Sequence, residues 1–117
     1  MDLSQLNEKL IQEVEQLKDL FHKNTEPKDI NDHEYFFQLK KETAQLFSLL
    51  DEWEKAVLLT LKEKPLKVFE HQITATKDNI EVLVMHSYYK DIRKRLYMER
   101  YYSIMLVLEN IKKGLNS

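Results

Sequence analysis

A run of tyrosines and basic residues between residues 88 and 102 is the part of the sequence whose composition most suggests binding. Tyrosine rings offer stacking area and guanidinium groups match phosphates and carboxylates, a combination typical of surfaces that bind protein or single-stranded nucleic acid. We take this Tyr/Arg/Lys segment as a candidate interaction surface formed by Tyr89, Lys90, Arg93, Lys94, Arg95, Tyr97, Arg100 and Tyr101. The alternative is a solvated helix face, with boundary tyrosines at helical spacing and charges partly neutralised by Asp91 and Glu99.

The four histidines are the side chains best suited to hold a metal ion. Helical bundles bind two iron ions when inward glutamates and Glu-x-x-His pairs converge from four helices. No histidine in this chain has a glutamate three residues before it, and only His22 has an acidic residue, Asp19, at that spacing. The sequence therefore predicts no metal site and no cofactor.

Motifs for catalysis are equally sparse. The chain has no cysteine and a single glycine, which excludes thiol chemistry and a glycine-rich phosphate-binding loop. His86 and Ser87 are adjacent, so on a helix their side chains point about 100° apart and do not form a nucleophile–base pair. We therefore predict no catalytic residue and expect that the chain is not an enzyme.

The composition indicates that long helices must position these residues. Charged residues make up 32% of the 117 residues and only three are Gly or Pro, so a turn-rich β fold is disfavoured and one domain spanning 1–117 is expected. The N-terminus lacks the pattern of an export signal, and no apolar run approaches the ~18 residues needed to span a membrane. A cytoplasmic protein is predicted.

Charge is divided unevenly along the chain. Residues 1–60 contain 7 Lys/Arg and 13 Asp/Glu, which gives this part a net charge of −6. Residues 61–117 contain 11 Lys/Arg and 7 Asp/Glu, which gives a net charge of +4. Opposite signs on successive parts of one chain favour packing of those parts against each other over binding to a charged external partner.

Apolar residues at spacings of three and four predict a first helix from Leu3 to Lys23, started by a capping box between Asp2 and Gln5. A loop around Pro27 follows, within residues 24–32, and is expected to reverse the chain.

A second helix is predicted from Asp32 to Lys62, capped by Asn31 with Glu34. Its apolar stripe begins at Phe36 and is wide enough to contact more than one neighbour. Trp53 lies on that stripe and is interpreted as a core anchor, with a ligand-pocket wall as the less favoured alternative.

A third helix is predicted from near Glu70, with Ile73, Thr76, Ile80, Leu83, Val84 and Ser87 on its inner face. The inner face of a fourth helix is predicted to contain Leu96, Ile104, Val107, Leu108, Ile111 and Leu115, and Gly114 after two lysines is its stop signal. A single continuous helix is the alternative, but it would be too long for the first two helices to cover. We therefore predict a break at residues 89–91, with Asp91 as the N-cap.

Several local patterns occur in a recognisable order: EYFFQLKKETAQL, Trp53 within DEWEKAV, Lys64-Pro65 leading to Gln72-Ile73, then SYYKDIRKRL and SIMLVL. In these the sequence resembles the YppE-like family of small uncharacterised proteins from Gram-positive bacteria, over about two-thirds of its length. The resemblance implies an all-α, four-helix up-and-down bundle with a turn between the third and fourth helices. It implies no activity.

Three functions are compatible with these patterns. The one we favour is a non-enzymatic module that contacts another protein, or its own copy, through the Tyr/Arg/Lys segment. The first alternative is weak nucleic-acid binding by the same segment, although a net charge of −2 lacks a broad basic footprint. The second is small-ligand binding within the bundle, which requires an apolar cavity with converging polar groups. Binding to a membrane is not expected.

Overall fold

All the regular secondary structure is helical in the computed structural model, which describes residues 1–24, 29 and 31–116. The helices are α1 (Leu3–Lys23), α2 (His33–Leu61), α3 (Glu70–Tyr89) and α4 (Lys94–Leu115), within extents of 45 × 27 × 21 Å. The predicted all-α four-helix bundle is confirmed. Within the described residues, none of these helices combines the length and apolar character that a membrane crossing requires.

Contacts between helix ends define an up-and-down topology. The Tyr35 hydroxyl near the start of α2 donates to the Tyr88 carbonyl at the end of α3 (2.7 Å), and Glu8 near the start of α1 pairs with Lys112 near the end of α4 (3.5 Å). Helices α1 and α3 each contact the other three helices, whereas α2 and α4 do not contact each other over the described ranges. The bundle is therefore built around the α1–α3 pair.

A buried hydrogen-bond chain joins three of the helices through Trp53. The Trp53 indole is fully buried, and its Nε1–H donates to Asn7 Oδ1 (2.9 Å). Asn7 Nδ2 in turn donates to the Leu108 carbonyl (3.0 Å). Because buried polar atoms are costly without partners, these bonds allow Trp53 to be the core anchor that the sequence predicts.

The first helix has the predicted bounds and cap. Asp2 Oδ1 accepts from the Gln5 N–H (2.9 Å), and Gln5 Oε1 accepts from the Asp2 N–H (3.1 Å). Pro27 and the turn predicted around it lie outside the described residues.

The start of α2 differs from the prediction. Its N-cap is Asp32, whose Oδ1 accepts from the Tyr35 N–H (3.0 Å), so the predicted capping box of Asn31 is wrong. Phe36 is not on the buried face, and its exposed ring lies 5.0 Å from Lys40 Nζ. The buried stripe comprises Leu39, Thr43, Leu46, Leu49, Leu50, Trp53 and Val57. It contacts both α1 and α3, which confirms the expectation of more than one neighbour.

The connection between α2 and α3 explains the one glycine. Leu66 and Val68 of this connection are buried, and Gly114 of α4 packs directly against Leu66. A Cβ added at Gly114 would lie 2.7 Å from the Leu66 carbonyl oxygen, and α4 continues to Leu115. Helix α4 therefore ends one residue after Gly114, close to the predicted stop, but Gly114 itself lies inside the helix without a positive φ. The residue permits a close backbone approach instead of forming the cap.

The predicted break between the third and fourth helices is confirmed. Helix α3 starts at Glu70 as predicted and ends before Lys90, which adopts the left-handed conformation (φ 51°) and donates its N–H to the His86 carbonyl (2.9 Å). The N-cap of α4 is Arg93, so the predicted cap Asp91 is wrong.

The Lys90 side chain fastens this turn to the end of α1. Its ammonium group donates to the Asn24 carbonyl and lies 5.0 Å from the centre of the Phe21 ring. These contacts offset the left-handed conformation, which costs roughly 1–2 kcal/mol in a residue with a Cβ.

Ion pairs link the acidic and basic halves of the chain. Lys77 Nζ lies 2.9 Å from Asp51 and 3.3 Å from Glu54, and Lys112 pairs with Glu8. The Asp51 carboxylate raises the pKa of Lys77, and Lys77 lowers that of Asp51. The uneven charge therefore serves contacts within the bundle, as the sequence predicts.

Candidate interaction surface

The fold divides the Tyr/Arg/Lys segment into buried rings and exposed charges. Tyr89, Tyr97 and Tyr101 are only 3%, 0% and 6% exposed. The exposed members are Arg93, Lys94 and Arg95, and the half-buried members are Lys90 and Arg100. The prediction that the three tyrosines lie on an accessible surface is therefore wrong, because their rings are needed for the core.

Tyr97 joins α4 to both α1 and α3. Its ring stacks on Phe21 with centroids 3.8 Å apart, and its hydroxyl lies 2.5 Å from Ser87 Oγ. The Ser87 hydroxyl donates its hydrogen to the Leu83 carbonyl (2.7 Å). Its oxygen therefore accepts the hydrogen bond from the Tyr97 hydroxyl. Burial raises the pKa of Tyr97 to about 12, although the bond to Ser87 acts in the opposite direction.

The other two buried tyrosines pack in a similar way. The Tyr89 ring meets the Tyr35 ring edge to face at 5.4 Å, and its buried hydroxyl has no hydrogen-bond partner within the described residues. Lys18 Nζ lies 4.9 Å from the centre of the Tyr101 ring. Both rings hold helices together and are not available to stack on a ligand.

The sequence contained a signal for this burial. Tyr97, Tyr101, Ile104 and Leu108 recur at spacings of four, three and four, which places them on one helix face. Leu96, which was predicted to face the core, lies off that face and is 42% exposed. Counting back from Ile104 would have identified the inward tyrosines.

Basic residues occupy the N-cap and the start of α4. The first turn contains no Asp or Glu, and the N-cap Arg93 makes no side-chain capping bond. Arg95 Nε lies 3.8 Å from Glu99, and both side chains are exposed. In the described part of the chain, Arg93 and Lys94 form no ion pair. Positive charge at a helix N-terminus is unfavourable because the helix dipole is positive there.

A groove of about 320 Å³ lies beside these charges, lined by Asn79, Ile92, Leu96, Glu99, Arg100 and Ser103. Arg100 Nη1 reaches His86 Nδ1 at 3.5 Å. Burial lowers the pKa of His86. The nearby Arg100 charge also lowers this pKa, whereas the Asp91 carboxylate acts in the opposite direction. We name the accessible surface formed by Ile92, Arg93, Lys94, Leu96 and Arg100 the α3–α4 corner.

A smaller groove of about 210 Å³ is lined by residues of α1, α2 and α3, namely Glu13, Gln16, Leu17, Leu20, Glu42, Thr43, Leu46 and Tyr88. Burial, together with the nearby Glu42 carboxylate, raises the pKa of Tyr88 to about 12. No three His, Asp or Glu side chains converge on a metal position over residues 1–24, 29 and 31–116.

Residues 7–115 match the model of a family described as a bacterial domain of unknown function, DUF1798. The chain belongs to this family. The fold of this DUF1798 member is similar to that of protein yppE from Bacillus subtilis, with TM-scores of 0.81 to the crystal structure and 0.79 to the solution NMR structure. Both alignments have 24% identity and cover 97% of this chain and 92% of yppE. No curated protein matches the sequence.

The predicted YppE-like resemblance is thus confirmed, and at this identity the likeness to yppE concerns the fold alone. The DUF1798 family is described as a domain of unknown function, so membership assigns no particular activity to this chain. Of the predicted surface, this fold leaves Arg93, Lys94 and Arg95 exposed, and the first two of these belong to the α3–α4 corner.

Proposed function

We propose that the chain is a non-enzymatic protein-interaction module and that its partner binds at the α3–α4 corner. The observation that carries the proposal is the position of exposed Leu96 beside Arg93 and Lys94, which have no ion pair among the described residues. Protein contacts commonly combine an apolar anchor with a charged rim. The complementary partner is a segment that presents an apolar side chain flanked by Asp or Glu.

The energetics of α4 support an acidic partner. Each positive side chain in the first turn of a helix destabilises that helix by about 0.3–1 kcal/mol. A carboxylate from a partner interacts favourably with these side chains and with the free N–H groups of the same turn. Binding therefore offsets an unfavourable feature of the free chain.

The burial of three tyrosines weighs against nucleic-acid binding, because stacking on aromatic rings supplies much of the affinity for single strands. A ligand site inside the bundle is also disfavoured. The interior is occupied by large side chains such as Trp53, and the grooves of about 210–320 Å³ open to the surface.

Affinity capture from cells tests the proposal with two matched double variants. Arg93→Glu with Lys94→Glu reverses two charges at the corner, and Lys40→Glu with Lys41→Glu reverses an adjacent exposed pair on α2. We expect the first variant to lose partners that the wild type and the second variant retain. Identical partner lists for all three proteins would contradict the proposal.

The nucleic-acid alternative is tested separately. Neutralising phosphates makes affinity fall steeply as the salt concentration rises. We expect no binding of single-stranded RNA or DNA at low salt. Salt-dependent binding that the corner variant removes would favour the alternative.

A cytoplasmic location is also part of the proposal, supported by a composition without cysteine. Cell fractionation tests it, because recovery of the chain outside the cytoplasmic fraction would contradict it.

A further inference from the structure

A surface stripe with an apolar centre and a charged residue at each end runs along the side of α4 that faces away from the core. Its members, spaced three or four residues apart, are Arg95, Met98, Tyr102, Leu106 and Glu109. Tyr102 and Leu106 lie one turn apart, and each is 63% exposed. We name this stripe the α4 outer face. It is distinct from the α3–α4 corner, with which it shares no residue.

The apolar centre of the α4 outer face is continuous. The Tyr102 ring meets the Tyr101 ring edge to face at 5.4 Å, and Met98 is partly buried against the core. Leu106 extends this surface by one more turn. Exposed aromatic and methionine side chains of this kind are enriched at protein contacts.

The charges of the α4 outer face are symmetric in position and opposite in sign about Tyr102. Arg95 precedes Tyr102 by seven residues and Glu109 follows it by seven, while Met98 and Leu106 are each four residues away. In an antiparallel helix pair with Tyr102 on a two-fold axis, Arg95 of each copy lies opposite Glu109 of the other. Met98 lies opposite Leu106 in the same way.

From this complementarity we infer that the α4 outer face binds the same face of a second copy, antiparallel and centred on Tyr102. A two-fold contact uses one self-complementary patch, so the Arg95–Glu109 ion pair and the Met98–Leu106 apolar pair each occur twice. The exposed Arg95–Glu99 contact within the helix, at 3.8 Å, is weak enough for Arg95 to turn to the second copy.

Two other arrangements of the α4 helices place like charges together. A parallel pair puts Arg95 opposite Arg95 and Glu109 opposite Glu109. An antiparallel pair centred two residues later puts Arg95 opposite Lys113. The charge pattern therefore favours the antiparallel pair centred on Tyr102 over both of these, as charged residues do in helix pairs.

The test is a charge-reversal series followed by sedimentation equilibrium from micromolar to millimolar chain concentration. We expect the wild type to dimerise, and Arg95→Glu and Glu109→Arg each to weaken dimerisation about tenfold or more, because each places two like-charged pairs in the contact. The double variant should restore dimerisation. Mixing the two single variants should give a heterodimer, since every charge then meets its opposite.

Lys41→Glu is the matched control, because it reverses one exposed charge on α2, outside both the α4 outer face and the α3–α4 corner. The control should dimerise like the wild type. Thermal melting should confirm that the control, the two single variants and the double variant all fold. A wild type that stays monomeric at millimolar concentration would overturn the inference. Single variants that dimerise normally, or a mixture that forms no heterodimer, would do the same. These results are independent of the corner, since Arg93 and Lys94 are unchanged in the series.

Discussion

Replacing Gly114 with alanine adds one methyl group to α4 where its backbone touches the connection between α2 and α3. The new Cβ would lie 2.7 Å from the Leu66 carbonyl oxygen and 2.9 Å from the carbonyl carbon and Cα of that residue. All three are backbone atoms. The connection is held by the buried side chains of Leu66 and Val68, with Lys67 between them at φ 64°. Rotation of a side chain therefore cannot relieve the clash.

Two effects of opposite sign determine the magnitude for Gly114→Ala. Overpacking by a methyl-sized group costs about 1–3 kcal/mol. Gly to Ala inside a helix gains up to about 1 kcal/mol, and less near the helix end, where Gly114 lies. We expect the free energy of unfolding to fall by about 1–2 kcal/mol. Ser103→Ala is the matched control, because Ser103 is exposed on α4 and its substitution changes helix propensity alone. We expect this control to raise the free energy of unfolding by about 0.5 kcal/mol.

Urea denaturation followed by far-UV circular dichroism measures both variants. A lower midpoint with an unchanged slope is expected for Gly114→Ala, because the folded state is strained but unfolds to the same chain. If Gly114→Ala were as stable as the wild type or as Ser103→Ala, the close approach to Leu66 would not be the reason for the glycine.

Two further predictions concern buried polar contacts. Asn7→Ala should lower the free energy of unfolding by about 2–4 kcal/mol, because Trp53 Nε1–H is left without an acceptor and a small cavity forms. Denaturant titration measures this loss, and a value below about 1 kcal/mol would contradict the prediction. Tyr97 ionises more readily in the unfolded chain than in the core, where its pKa is about 12. The neutral ring therefore contributes stability that is complete below about pH 10 and is lost as the pH rises towards 12. Tyr97→Phe should flatten this alkaline decline and cost about 0.5–1.5 kcal/mol at neutral pH; an unchanged pH profile would contradict the assignment.

Helix periodicity and helix length together predicted the architecture from the sequence. The bounds of α1 and the start of α3 follow from apolar spacing, and Trp53 follows from its place on the stripe of α2. The break before α4 follows from the length of a continuous helix, which the first two helices could not cover. The helix caps were less predictable. Asn31 and Asp32 are both residue types that cap helices well, and the direction in which the chain approaches α2 determines that Asp32 is the cap.

The remaining differences come from contacts between residues far apart in the chain. The role of Gly114 depends on Leu66, and the bond of Asn7 depends on Trp53 and Leu108. No local pattern reports such pairs. The tyrosines were misassigned for another reason. The composition of the segment was given more weight than the helical spacing that places Tyr97 and Tyr101 on the same face as Ile104 and Leu108.

Binding of a protein partner at the α3–α4 corner can be observed by amide chemical-shift mapping of the isotope-labelled chain, titrated with a partner obtained by affinity capture. We predict that the largest shifts fall at residues 92–94, at Leu96 and at Arg100, and that Arg93→Glu with Lys94→Glu abolishes them. Shifts confined to α2 or to the α4 outer face, unchanged by those substitutions, would contradict the claim.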